Sequence, residues 1–363
     1  MKRLIHYLFL ISICSFQIHS QNWTDTLYHE KNVVLEEFTG IYCGFCPQGH
    51  QVAHDIDIAN PGRVIVIGIH SSDTYSEPNP GSGHPDFRTQ WGASLQSMSG
   101  LTGFPSGMVN RVSFPNYAQG KAMGRTYWED ASNEILNSGD TADANIGARS
   151  LWDESTRQLS IDVEVYYHKE QNLFNRLTIA LTESKVFGYQ GGGSSNYEHN
   201  HILRELITGV SSGSWTGEKI DDITAGEWKT IHIDYTVDPS IDIDNCELGI
   251  FLTEFSNSNI LTGVKIHPKN DSTSLQTSSS ITALSMQNKL RVYPNPSSEN
   301  VFFQLPSNSK GDIMIWDLLG NLVINKSIQD QVTNIDTKNF NSGLYFYKVQ
   351  SGLNSFTGKL MIR

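Results

Sequence analysis

Val33-Val34-Leu35-Glu36-Glu37-Phe38-Thr39-Gly40-Ile41-Tyr42-Cys43-Gly44-Phe45-Cys46-Pro47 joins an apolar run to two closely spaced cysteines and a proline. Val33–Phe38 reads as a strand. Pro47 stands where a helix can begin, and Val52, Ala53, Ile56 and Ala59 then recur at helical spacing until Pro61-Gly62 ends the pattern. Two residues between the cysteines permit a small disulfide ring that opens and closes readily. Cys43, at the helix N-terminus, is expected to face unpaired N–H groups and the positive end of the dipole, which favours thiolate. Cys43 is therefore the expected nucleophile, and Cys46, one turn further in, the resolving thiol. A zinc site would need two further ligands, usually a second CxxC or a His pair. The sequence has no second CxxC.

Working outward, Val64–Ile69 is a continuous apolar run, as in a parallel strand covered on both faces. A Gly/Pro/Ser-rich loop follows from Ser71 to Pro85. Phe104–Val112 reads as another strand with Pro105 near its start, and Tyr127, Trp128, Ala131 and Ile135 as a helix. Residues 21–142 thus alternate strand and helix, an α/β domain with a mainly parallel sheet. Residues 143–270 instead show period-2 alternation, as in Leu159, Ile161, Val163 and Val165, and again in Cys246, Leu248, Ile250 and Leu252. This predicts a β-sandwich with Cys246 buried in its core. Gly191-Gly192-Gly193-Ser194-Ser195 reads as a flexible loop; without a following Lys-Ser/Thr it is no phosphate cradle, and the sequence implies no cofactor. Residues 271–287 are Ser/Thr-rich and read as a linker. Residues 288–363 give a second, small, Ig-like all-β sandwich.

The chain has 363 residues and a formal net charge of -12, a poor match to non-specific nucleic-acid binding. Lys2 and Arg3, the apolar run Leu4–Phe16 and the small Ser20 predict a signal peptide over residues 1–20. Beyond it no apolar run approaches the roughly 18 residues of a membrane span. Export places the CxxC where a disulfide can persist. His50 and His54 lie at helical spacing after Cys46, a conceivable copper or zinc stripe, but Val52, Ala53, Ile56 and Ala59 claim the buried side and leave the histidines on a solvated face. His199-Asn200-His201 reads as structural.

The N-terminal arrangement resembles the thioredoxin superfamily. That resemblance implies that Glu37 is a buried acid that takes a proton from Cys46, and that Pro105 is a cis-proline opposite the disulfide. Tyr42, Phe45 and Phe104 depart from the family's usual residues. Val292-Tyr293-Pro294-Asn295-Pro296, Asp317-Leu318-Leu319-Gly320, Ser342-Gly343-Leu344-Tyr345-Phe346 and Lys359-Leu360-Met361-Ile362 together resemble the type A sorting domain of the type IX secretion system of Bacteroidota. This implies delivery by that machinery through residues 288–363. Glu36-Glu37-Phe38-Thr39-Gly40, Gly103-Phe104-Pro105-Ser106-Gly107 with Asn110-Arg111, and Tyr197 through His199-Asn200-His201 to Leu203-Arg204 resemble the outer-membrane-protein-28-related family. The combined expectation is a protein of the outer membrane surface or the extracellular space that exchanges disulfides with protein or peptide thiols. The alternatives are a surface binding or structural protein with a stable CxxC disulfide and, after it, copper or zinc handling.

Overall fold

The computed structural model describes residues 23–71, 73–171, 173–273, 291–293, 297, 299–304, 311–318, 320–328, 332–338, 340–351 and 354–362. The expected signal peptide lies outside them. The chain divides into two compact units, Met1–Gln276 and Thr277–Arg363.

In the first unit the chain runs β1 (Val33–Thr39), α1 (Cys46–Ala59), β2 (Val64–His70), α2 (Gly92–Ser99), β3 (Ser106–Val109), β4 (Ala122–Gly124) and α3 (Trp128–Leu136). It continues through β5 (Ala144–Asp153), β6 (Gln158–Tyr167), β7 (Asn175–Glu183), β8 (Val186–Gly188), β9 (Tyr197–His199), β10 (Ile202–Leu206) and α4 (Ile207–Ser212). β11 (Glu218–Ile220), β12 (Trp228–Thr236), β13 (Cys246–Glu254) and β14 (Ile260–Ile266) complete it. Strand dominates.

One sheet holds most of the unit together, in the order β14-β13-β7-β10-β2-β1-β3-β4, with β11 added on β7. β1 pairs with β2 in parallel, from Val33↔Val64 to Thr39↔His70. β10 joins β2 in parallel at Ile202↔Gly68, where the Gly68 N–H donates to the His201 carbonyl at 2.7 Å. β3 and β4 pair antiparallel. The expectation of a mainly parallel sheet is thus corrected: β10, β2 and β1 run parallel, and antiparallel strands flank them. The expected boundary at residues 142/143 is likewise a change of partner within one body. The chain after residue 143 supplies one three-stranded sheet, β12-β6-β5, and lends its other strands to the sheet of the first block. The tract beginning at Asp271 also starts inside the fold: the Ser150 N–H donates to the Asp271 carbonyl at 2.8 Å, and the Thr273 N–H to that of Ala148 at 2.9 Å. The rest of that expected linker is outside the described residues.

Three cores follow from this sheet. Alternation sends Val33 and Leu35 of β1 toward α1 and α3, where they meet Ala53, Ile56, Trp128 and Ala131. Val34 and Phe38 face the other way, onto Trp91, Leu95, Leu203 and Phe251. Between β5-β6-β12 and the β7-β13 part of the large sheet lies a third core that includes Ile161, Val163, Ile179, Leu248 and Ile250. Cys246 belongs to this core, buried and free, as its register predicts. Burial pushes its thiol pKa up to about 12.

Glu36 shares the face of Val34 and Phe38, yet it is not a solvated strand end. Its oxygens accept from Arg111 Nε and Nη2 at 2.7 and 2.6 Å. The Arg111 guanidinium also lies 5.7 Å from the Trp215 ring centre and 5.4 Å from that of Phe251. This buried pair ties β1 to the chain beyond residue 143.

In the second unit, β15 (Arg291–Tyr293), β16 (Asn300–Gln304) and β19 (Val332–Asp336) form one antiparallel sheet; β17 (Gly311–Trp316), β18 (Leu322–Ile328), β20 (Gly343–Ser351) and β21 (Asn354–Ile362) form the other. Val301, Phe303, Ile313, Ile315, Val349 and Leu360 fill its core. Asp317 closes the turn of the second motif by accepting from the Asn321 N–H at 2.8 Å.

Replacing Arg111 by Met should cost about 3–5 kcal/mol, because Glu36 would be left charged and unpaired in the interior. Chemical denaturation of the two proteins measures this directly.

Candidate functional site

The strand–CxxC–helix segment is closed by a bond between Cys43 and Cys46, with sulfurs 2.15 Å and Cα atoms 5.4 Å apart. The first helical residue is Cys46, not Cys43, and Pro47 lies in the first turn. Cys43 sits in the preceding turn, where its carbonyl accepts from the Cys46 N–H at 3.3 Å. The expectation that Cys43 stands at the helix N-terminus with Cys46 one turn further in is corrected, and both are buried: Cys43 is 2 % exposed and Cys46 0 %. Only the residues between them reach solvent, Phe45 being 64 % exposed.

The cover over Cys43 comes from the chain between β8 and β9. Gln190, itself buried, donates through Nε2 to the carbonyls of Gly40 and Cys43 at 3.1 and 3.0 Å. The Gly191 N–H donates to the Ile41 carbonyl at 2.7 Å. Gly192 has φ +74°, and a Cβ there would stand 2.0 Å from the Gly44 carbonyl oxygen. Only glycine meets both conditions. The segment read as a flexible loop is thus laid against the CxxC turn. Three consecutive glycines are the signal for such close backbone approach.

Glu37 points from β1 into the start of α1, the face opposite Glu36. A Cβ on Gly49 would stand 2.7 Å from Glu37 Oε1 and 3.0 Å from Pro105 Cβ. The glycine therefore lets one helical turn, the turn that begins with Cys46, settle on both groups. Pro105 follows a cis peptide bond after Phe104 and directly precedes β3, whose Ser106 pairs with Phe38. Glu37 Oε1 is buried without a hydrogen-bond partner. Burial raises its pKa well above the ordinary 4.5.

His50 is not on a solvated helix face as expected. Its Nε2 lies 2.7 Å from Thr39 Oγ1 and 3.8 Å from Glu37 Oε1. Its Nδ1 lies 2.9 Å from the Tyr197 hydroxyl. His199 stands next to it, with ring centres 6.3 Å apart, and His70 beyond at 6.3 Å from His199. Burial drives the pKa of His50 down to about 3 and that of His199 to about 4, so both are neutral. His54 remains exposed. Among the described residues no three His, Cys, Asp or Glu side chains converge as a metal-ligand set, so the Cys46/His50/His54 stripe is not assembled. His199-Asn200-His201 supplied the missed part of the site: the sequence marks these residues, but not the β1–α1 surface they cover.

Residues 93–272 match the family model "Outer membrane protein Omp28", and residues 291–363 match "Secretion system C-terminal sorting domain". Among curated proteins none matches the chain. HBP35 of Porphyromonas gingivalis is similar in structure at 18 % identity and a TM-score of 0.52, over 92 % of this chain and 99 % of that one. A domain of the outer membrane lipoprotein Omp28 from the same organism aligns at 19 % identity over 38 % of this chain and 92 % of that one, with a TM-score of 0.26. A structural-genomics target protein from Agrobacterium tumefaciens aligns at 11 % identity over 66 % and 96 %, with a TM-score of 0.44. At 18 % identity the likeness to HBP35 concerns fold alone. Among the described residues no helix is long and apolar enough to cross a membrane.

The pH dependence of Glu37 has a definite sign. Above pH 4.5 the unfolded chain releases this proton while the folded protein keeps it, so stability falls as pH rises toward the raised folded pKa. Glu37→Gln should therefore raise the melting temperature relative to wild type at pH 8 and leave it nearly unchanged at pH 4, as read by circular dichroism.

Residues 93–272 thus match the outer membrane protein Omp28 family and residues 291–363 a type IX secretion sorting domain, and together the two matches indicate secretion to the outer membrane or cell surface.

Proposed function

We propose that this protein exchanges disulfides with protein or peptide thiols at the cell surface, through Cys43 and Cys46 in a thioredoxin-like region spanning residues 21–142. One observation carries this reading: the Cys43–Cys46 disulfide opens a helix whose first turn rests on a buried, unpaired Glu37 and on Pro105. A stabilising bridge needs no uncompensated carboxyl beside it. A dithiol that must lose a proton does.

In the reduced protein, the Cys43 thiolate attacks a substrate disulfide. A Cys43–substrate bond forms, and one substrate sulfur leaves with the electron pair and takes up a proton. Cys46 then gives its proton to the fraction of Glu37 present as carboxylate, which grows as pH approaches its raised pKa, and attacks Cys43 sulfur, which releases the second substrate sulfur and closes the Cys43–Cys46 bond. The substrate is reduced and the protein oxidised; the reverse sequence oxidises a substrate dithiol. Phe45 and Tyr75 are exposed, and Tyr75 packs on Phe104 beside Pro105. These rings form an apolar rim suited to extended peptide chains rather than to small thiols.

The burial of both sulfurs and the Gln190 clamp favour a second reading, a permanently closed structural disulfide. The reduction potential separates the two, since structural disulfides lie below about -300 mV.

Two variant sets test the mechanism. Cys46→Ser should accumulate reducible adducts on non-reducing gels, whereas Cys43→Ser should give none; adducts in neither variant would favour the structural bridge. Gly192→Ala should drive its loop off Gly44 and speed reduction of the wild-type disulfide by dithiothreitol, measured by thiol labelling over time.

A further inference from the structure

We infer that His50 and Tyr197 form a proton outlet for Glu37, connecting the carboxyl under the disulfide helix, at the floor of a cleft that all three line, to the water of that cleft. The inference rests on the exchange reading above and adds a route that the cysteines alone do not provide. Each time Cys46 gives up its proton, Glu37 must pass it on before the next cycle. Glu37 is 3 % exposed and its Oε1 is buried without a hydrogen-bond partner, so a neighbouring carrier eases that proton's way to water.

The geometry supplies one. His50 Nε2 stands 3.8 Å from Glu37 Oε1, with the Thr39 hydroxyl 2.7 Å from the same nitrogen. Across the ring, His50 Nδ1 is 2.9 Å from the Tyr197 hydroxyl. Glu37, His50 and Tyr197 all line one cleft of about 280 Å3, together with His54, Glu198 and His201. Three elements far apart in sequence, β1, α1 and β9, thus present a line of proton-carrying atoms. The chain closest to this line also brings His199, and beyond it His70 of β2.

A neutral imidazole suits this task. Burial holds His50 uncharged, with a pKa of about 3, so it does not store the proton as imidazolium. It can instead exchange tautomers: once the 3.8 Å gap to Glu37 closes to hydrogen-bond distance, Nε2 takes the proton of Glu37 while Nδ1–H gives its own to the Tyr197 oxygen. The Tyr197 O–H proton passes to water in the cleft. Glu37 returns to carboxylate, and one proton leaves for each Cys46 thiol consumed. His50 and Tyr197 touch neither substrate nor sulfur, so they act through Glu37 as positioning residues.

The experiment uses the full chain in single-turnover reaction with a peptide disulfide. Tyr197→Phe keeps the ring and removes the hydroxyl; His50→Gln keeps hydrogen bonding and removes tautomer exchange. Each should leave Cys43 attack at the wild-type rate and slow the Cys46 step by roughly ten- to a hundredfold, the scale of a lost proton-transfer group. The slowed step should show a larger rate reduction in deuterium oxide and recover with added imidazole or formate. The double variant should be no slower than the slower single variant, because both lie on one path. If His50→Gln fails to fold, Tyr197→Phe alone decides. A wild-type Cys46 step in Tyr197→Phe, or a slowed step with neither isotope sensitivity nor buffer recovery, overturns the outlet while leaving exchange intact. Absence of any mixed disulfide in wild type and in Cys46→Ser overturns the exchange reading itself.

Discussion

Two adjacent carboxyls on one strand set the terms for the first unit. Because successive side chains of a strand point to opposite faces, Glu36 and Glu37 of β1 enter different environments. Glu36 meets Arg111 and is fully compensated; it anchors the chain that continues into the second half of the unit. Glu37 meets Gly49 and Pro105 and has no cation beside it. The same burial is therefore compensated by a cation on one face and left without a hydrogen-bond partner at Oε1 on the other. Neither arrangement survives a one-residue shift of β1, which would exchange the two faces.

The second half of the unit acts on the disulfide in three ways. Through β10 it extends the sheet that carries β1 and β2. Through Gln190 and Gly192 it covers Cys43 and holds the carbonyls of its turn. Through Tyr197 and His199 it buries His50 beside Glu37. Most of these contacts are made by polar or backbone groups rather than by large apolar side chains. Such a cover can be displaced at lower cost than a packed core, which is compatible with a covered but exchangeable disulfide.

The sorting-domain match and the cysteine pair fall in different units. The sorting domain has a core of its own around Phe303, Ile313 and Ile315. The first unit carries the cysteine pair and the buried carboxyl. The sorting-domain match, with the Omp28 match, indicates secretion to the outer membrane or cell surface.

Periodicity in the sequence determined which residues form β1, α1, β2, β6, β7, β12 and β13, because alternation and helical spacing are local properties. It also determined the burial of Cys246, whose register follows Leu248 and Ile250; type and spacing marked Cys43 and Cys46, and the resemblance to thioredoxins marked Glu37 and Pro105. Tertiary structure decided what covers them. That residue 202 pairs with residue 68, that Gly191 and Gly192 lie on the CxxC turn, and that His50 is half-buried rather than solvated all depend on chain segments more than a hundred residues apart. Local patterning states that a face is buried or exposed on its own element; it carries no information on which distant loop comes to rest there. Glycine is the extreme case, since its value at position 192 lies in a side chain it does not have.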